Sequence, residues 1–577
     1  MFRSLVVSAF ASIAFQGYSL AAPPAEGAAQ AASPVAPCQS AALGSPYIPM
    51  DSWMYVSLSR LYSLGYLDLS FQGMRPWTRS NVIHMLEETD AQLEDAPDSD
   101  ATNEARELYE ALWNELNVDA QGPCFQHRGQ FRVESAYETA RGISGTPLHD
   151  SYHLGETITN DYGRPVENGF NNYGGTSGYA TAGIFTLYAR AEFQYAPSAA
   201  GYSQSLFDEL SAIDTIPVAT NPIQETIPLG PIGTATNGRL VEGYLSAHLW
   251  GHDVSFGKND QWLGPAYGGA YAYSTNAENI YSFEINRTEP LHVPGLSRIT
   301  GPFRYEFLVG SLKGHTLWND PWVHAEKISF KPTRNLEIGF ERTVIWGGKG
   351  HVPITIHSFL KSFFSFQNVS SAEKTSRYDP GARFGAFDIS YRLPYLRNWL
   401  TFYTDSEAHD DVSPISAPRR ADFRTGLYLS HVPGVPKLDL RVEAAMDDQS
   451  TSRSNGGQFT YFEGEQPQGY TNAGQIFGDW MGREAKGGQA WLTWHLSGNE
   501  WIQVNWRGQK AAKDFIPGGT TINDFGVQVV KRLGDEFEVK GNYTHEGYLI
   551  PTYLTGKHSV NNTTIQLTWY PLNKTSY

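Results

Sequence analysis

From Gln130 to its C-terminus this chain alternates polar and apolar residues in short runs, one after another. Successive side chains on a strand point to opposite faces, so each run reads as a two-faced strand. In the run 536–543, Phe537, Val539 and Tyr543 share one face, and Glu536, Glu538, Lys540 and Asn542 share the other. Leu438, Leu440, Val442, Ala444 and Met446 oppose Asp439, Arg441 and Glu443 in the same way. About sixteen such segments are clear, and two weaker ones accompany them. The clear ones start near Gln130, Thr181, Arg239, Glu278, Phe303, Val323, Leu336, Phe384, Trp399, Phe423, Leu438, Gln489, Glu500, Asp524, Glu536 and Thr563. A chain made almost wholly of these segments, and exported, folds most economically as a β-barrel with lipid outside and water inside.

Export is read from the first 21 residues. Arg3 is followed by an apolar stretch over 5–15 and by Ser19-Leu20-Ala21, the pattern of a cleaved signal peptide. At 577 residues the chain exceeds a single ordinary core and needs several domains or a closed barrel. Its mean hydropathy of -0.38 looks soluble. A spanning strand, however, needs apolar residues only at every second position, so a polar average does not exclude the membrane. The 32 Tyr, 15 Trp and 30 Phe suit a barrel with two interfacial aromatic girdles. The formal charge of -17 repels nucleic acid and anionic lipid surfaces, so no nucleic-acid partner is expected.

Residues 22–46 are rich in Ala, Pro, Gly and Ser and read as a flexible leader. From Pro49 the spacing becomes helical: Tyr55, Leu58, Leu61, Tyr62 and Leu64 lead to a stop at Gly65. A second helix starts around 76–80, and a third, over 103–117, sets Leu108, Leu112, Trp113 and Leu116 on one face. Cys38 and Cys124 flank this unit, and in an oxidising compartment a lone pair is expected to form one disulfide, stabilising the fold by roughly 4 kcal/mol. The expected organisation is therefore a signal peptide (1–21), a leader (22–46), a helical module (47–124) and a barrel (125–577). Tight turns after Leu496 and Arg532 alternate with long polar loops at 197–236, 406–420 and 447–486, as in barrels with turns inside and loops outside. A soluble β-sandwich or propeller would also alternate, but no fixed-period repeat supports a propeller.

Several stretches resemble the Wzi capsule-assembly family. They are the run 45–53 (Ser-Pro-Tyr-Ile-Pro-Met-Asp-Ser-Trp), the run 61–67, and Arg75-Pro76-Trp77-Thr78-Arg79. Farther on, Gly301-Pro302-Phe303-Arg304-Tyr305-Glu306-Phe307, Phe330-Lys331-Pro332-Thr333, the run 336–340, and Arg342 before Gly347-Gly348-Lys349-Gly350 continue the likeness. Tyr391-Arg392-Leu393-Pro394 and the run 436–441 complete it, so it covers the chain from about residue 45 onward. The resemblance implies an eighteen-stranded outer-membrane barrel of a Gram-negative bacterium with a periplasmic helical bundle at one end. It also implies a lectin-like role, holding capsular or other extracellular polysaccharide at the cell surface. One departure concerns the closing strand: the strand-like run ends at Trp569-Tyr570, and Tyr577 either extends it or ends a free tail.

The residues offer no catalytic set. His545-Glu546 starts like a zinc-protease helix, but Leu549 stands where the second His belongs, and the segment reads as strand. Gly347-Gly348-Lys349-Gly350 lacks the spacing of a phosphate loop and reads as a hairpin turn. Asp410-Asp411 and Asp447-Asp448 suggest calcium or glycosidase chemistry, but read better as solvated loop tips. No metal or cofactor is expected. Sugar recognition needs aromatic faces beside polar groups, and Trp262, Tyr267, Tyr271, Tyr273, Tyr461, Phe462, Tyr470 and Trp480 have that composition; girdle or loop packing is their other reading. Arg304, Glu306, Arg392, Asp439, Arg441, Glu443 and Lys540 are expected to face the lumen. Three functions stay open: a non-enzymatic polysaccharide anchor, a porin or polysaccharide export conduit, and a secreted carbohydrate-active enzyme. Expected partners are polysaccharide, outer-membrane lipid and the outer-membrane insertion machinery, with the chain itself a monomer.

Overall fold

Helical spacing gives way to strand alternation at one point in the chain, and the architecture changes there. The computed structural model describes residues 43–120, 129–219, 222–367, 369–409, 421–447 and 459–571. The signal peptide, most of the leader, Cys38, Cys124, Asp410, Asp411, Asp448 and Tyr577 lie outside the described residues.

Three helices come first: α1 (Met54–Ser63), α2 (Arg79–Glu94) and α3 (Asp100–Ala120). Gly65, at φ 95°, takes the left-handed turn that ends the first helix, a conformation that costs other residues more. Thr78 caps α2 by accepting a hydrogen bond from the Asn81 backbone N–H at 3.2 Å. Leu58, Leu61, Leu86, Leu108, Leu112 and Leu116 meet in a common core, as their spacing of three and four requires.

The remainder is a closed antiparallel barrel of 18 strands. Neighbours in sequence pair throughout, and the last strand, Leu554–Trp569, closes onto the first, Gly129–Ser144, with Trp569 opposite Ala136. The strand expected near Thr181 is Phe185–Ala196, and the last strand begins at Leu554 rather than near Thr563. Two strands lack a clear start in the sequence. Gly169–Ala182 carries Gly, Asn, Ser and Thr on both faces, so its polarity does not alternate. His252–Lys258 is only seven residues long.

Alternation sorts the two surfaces. On Phe185–Ala196, Thr186, Tyr188, Arg190, Glu192 and Gln194 are buried inside, while Phe185, Leu187 and Phe193 stand exposed outside. The helices cover the end of the barrel that bears the tight turns. Ser57 Oγ donates to the Gly498 carbonyl (2.7 Å), Arg60 Nη2 to the Pro436 carbonyl (2.8 Å), and Tyr244 Oη accepts from the Tyr47 N–H (2.8 Å). Trp501 and Val530 of the barrel wall join the helical core.

The other end bears the long connections, and several of them fold inward. Tyr271, Tyr273, Tyr461, Tyr470 and Phe477 pack against Leu308, Val323 and Phe384 of the wall, filling that part of the interior. Gly347-Gly348-Lys349-Gly350 is not a hairpin turn. Gly347 and Gly348, at φ 71° and 120°, turn the chain out of the sheet into a connection over 347–381 that carries the short helices Ile356–Phe363 and Ser371–Lys374.

Candidate functional site

Strand register lines up one inward row of side chains across six neighbouring strands. Gln503 faces Gln528, Gln528 faces Asn542, Asn542 faces Thr564, Thr564 faces Arg141, and Arg141 faces Asn171. Beside it, Lys540 faces Gln566, and Gln566 faces Thr139. This wall bounds a cavity of about 500 Å³, within the usual range for small-ligand sites. Its floor is the segment 49–56 with Arg79 and Glu115 of the helices, and its roof includes 157–162, Tyr267 and Gly268.

The arginines at one end of this row and their carboxylates are mutually satisfied. Arg141 bonds Asp161 (2.9 Å), Asp161 bonds Arg164 (2.7 Å), and Arg164 reaches Glu192 (2.6 Å). Arg190 holds Asp51 of the floor (2.6 Å). Burial alone would raise the carboxyl pKa values of Asp161 and Asp51, but the guanidiniums of Arg141 and Arg164, and of Arg190, pull them below the ordinary range. Tyr173 lies under two of these cations, 4.3 Å from Arg164 and 5.4 Å from Arg141.

Lys540 differs. It lines the cavity and makes no hydrogen bond or ion pair within 4 Å among the described residues. The site thus presents amides and hydroxyls that donate and accept, the aromatic rings of Tyr173, Tyr267 and Trp491, and one cation with no bonded carboxylate, within electrostatic reach of Asp51 and Glu538. Such a surface hydrogen-bonds hydroxyls, stacks on apolar ring faces and meets a single negative charge.

The aromatic residues singled out in the sequence part company here. Trp262 and Tyr267 line the cavity, with Tyr267 set edge-on to Trp491 at 5.1 Å. Tyr271, Tyr273, Tyr461, Tyr470 and Trp480 are buried in the inward loops and open no ring face to solvent, and Phe462 is nearly so. Trp480 Nε1 donates to the Gly268 carbonyl (2.7 Å), and Tyr461 Oη to that of Tyr271 (2.8 Å), so these rings hold the roof in shape. Asp447 is not a solvated loop tip: it is buried and accepts a hydrogen bond from Tyr271 Oη.

Of the lumen charges other than Lys540, all but Glu306 are held by bonded partners. Arg304 donates to Asn286 Oδ1 (3.0 Å), Arg392 to the Tyr62 carbonyl (3.2 Å), and Arg441 to Ser59 Oγ (2.9 Å). Asp439 accepts from Tyr428 (3.0 Å), and Glu443 pairs with Arg424 (2.9 Å). Glu306 lies inside, near Arg304 and Lys327. Among the described residues, no group of three or more His, Cys, Asp or Glu is arranged to hold a metal ion. The row Gln503–Gln528–Asn542–Thr564 was missed in the sequence. Each member sits on a polar strand face, but only register reveals that they adjoin.

Comparison with known proteins supplies the context. Residues 139–563 match the family model for capsule assembly protein Wzi. A Klebsiella pneumoniae protein, an uncharacterized 55.8 kDa protein in the cps region, is 25% identical over 203 residues, covering 35% of this chain and 39% of that protein. The match thus spans about two fifths of that relative's length. Among solved structures the barrel is similar to Wzi of Escherichia coli, described as an outer membrane protein involved in group 1 capsule assembly and a carbohydrate-binding β-barrel. The TM-score is 0.63 at 15% identity, covering 90% of this chain and 99% of that one. OprD of Pseudomonas aeruginosa superposes at a TM-score of 0.40 with 7% identity, over 79% of this chain and 98% of that one.

Proposed function

The chain belongs to the capsule assembly protein Wzi family, and from that premise we propose that it binds extracellular or capsular polysaccharide and anchors it at the cell surface. The outer-membrane setting follows from the family and from a closed barrel whose outer face is apolar. In this reading the helices lie in the periplasm, and polysaccharide approaches from the side bearing the long connections.

One observation carries the proposal toward a site: the neutral row Gln503–Gln528–Asn542–Thr564 beside Tyr173, Tyr267 and Trp491 in a cavity of about 500 Å³. Hydroxyl-rich ligands need many paired donors and acceptors, and an apolar pocket would leave theirs unmet. The reading is of binding without catalysis, by a monomer, since a closed barrel leaves no sheet edge in want of a partner.

Deleting the gene and measuring cell-attached against released polysaccharide tests the role. Unchanged total synthesis with polysaccharide shed into the medium supports anchoring, whereas normal attachment sinks it. Titrating purified protein with the same polysaccharide, and checking for its breakdown, separates binding from turnover. A porin reading is weakened by the inward loops and the helical cap, and stable conductance steps in a planar bilayer would restore it.

A further inference from the structure

On the outer wall of the barrel, a cluster of polar residues is buried beneath another element rather than exposed. His324 and Glu326 on the strand Trp322–Thr333, Arg342 on Leu336–Trp346 and Arg383 on Ala382–Arg392 all point outward. They are paired across the sheet with outward positions, Phe307 opposite Glu326 and Glu326 opposite Arg342. Nevertheless His324, Arg342 and Arg383 are buried.

The helix Ile356–Phe363 covers them. Phe359 and Phe363 pack on Phe307 and His324 of the wall. Arg342 donates to the carbonyls of Ser362 (3.1 Å), Phe363 (2.9 Å) and Ser365 (2.8 Å), satisfying the end of the helix. Arg383 takes the Gln367 carbonyl (2.7 Å), and His324 Nε2 meets Ser362 Oγ (2.8 Å). The polar patch is thus spent on holding a helix, and the helix turns a second apolar stripe outward. Ile356, Leu360 and Phe364, spaced by four, are 80%, 45% and 65% exposed, and Phe366 is exposed beside them.

Height fixes what that stripe meets. The neighbouring strand Phe303–Ser311 has nine residues. At about 3.3 Å per residue and a tilt near 40° it rises roughly 23 Å, close to the ~25 Å apolar band of an outer-membrane barrel. Phe307, at its middle, and the helix packed on it therefore lie within the bilayer thickness. The stripe is continuous with the barrel's lipid-facing surface, displaced outward by one helix.

We infer that the helix Ile356–Phe363 lies against the outside of the barrel within the membrane, with Ile356, Leu360 and Phe364 seated on lipid acyl chains. The inference rests on the outer-membrane reading above. Nitroxide labels at Leu360→Cys and Phe364→Cys, in full-length protein reconstituted in lipid vesicles, test it by their accessibility to oxygen and to a polar nickel chelate. Leu187→Cys, on the bare outer wall, and Lys349→Cys, on an exposed loop, are the controls, and parental protein labelled alike gives the background from Cys38 and Cys124. The expected oxygen-to-nickel ratio at 360 and 364 matches that at 187 and exceeds that at 349 by on the order of tenfold, because oxygen partitions into hydrocarbon and the chelate does not. Nickel access at 360 and 364, with 187 still lipid-like, overturns the inference alone. Exclusion of both reagents at 360 and 364 also overturns it, by placing protein there instead of lipid. Nickel access at 187 as well overturns the outer-membrane reading together with it.

Discussion

At the residue scale the cavity's distinguishing group is Lys540, the cation whose neighbours are amides and hydroxyls rather than carboxylates at bonding distance. If polysaccharide binds there, Lys540→Gln is expected to weaken an acid-bearing glycan about tenfold and a neutral one far less, the loss of one charge-assisted hydrogen bond. Titration calorimetry on matched oligosaccharides measures this, and equal losses for both would contradict it. A second group, His153, is buried in the connection before the roof segment, outside the cavity lining. Its Nδ1 lies 2.9 Å from Asp150 and its Nε2 2.7 Å from Asp214. Burial alone would lower its pKa, but the two carboxylates outweigh burial and raise it to about 9. The charged ring therefore contributes stability fully below pH 6.5, and that contribution is lost as pH rises toward 9, on the order of 3 kcal/mol in all. Melting curves from pH 6 to 9.5 should fall more steeply for the parent than for His153→Gln. The polar face carrying Lys540 was legible in the alternation of 536–543. The fate of Tyr271 and Tyr461 was not, because composition does not say whether a Gly-rich aromatic loop opens to solvent or folds into the lumen.

At the scale of elements, legibility followed the strength of the local signal. The helices were readable from spacing and from Gly65 and the run 76–80, since caps and stops are written within a few residues. Most strands were readable because one face is apolar and the other charged. Gly169–Ala182 was not, because its pairing is dictated by the neighbours Gly129–Ser144 and Phe185–Ala196 rather than by its own pattern. The run 347–350 reads as a hairpin turn in sequence, and opens the connection 347–381 instead, because Gly pairs mark any sharp change of direction, short loop or long. Caps offer a direct check on the helical reading. Thr78→Ala removes the side-chain acceptor for the Asn81 N–H and is expected to cost about 1 kcal/mol. Hydrogen exchange should show the loss confined to the first turn of α2, and uniform loosening of all three helices would contradict a local capping role.

At the scale of the whole molecule, the cap comes before the wall in the chain but is held by residues far along it. The cap's partners are scattered: Tyr244, Ser390, Thr401, Ser430, Pro436 and Gly498 all contact the segment 47–63. These residues come to one rim only when the strands between them have paired. During refolding into detergent micelles, protease protection of α1 is expected no earlier than the gel shift of the closed barrel; earlier protection would mean that the helices stand alone. The helices precede the strands in the chain yet are seated by them, so a seated cap reports that the wall from Tyr244 to Gly498 has formed.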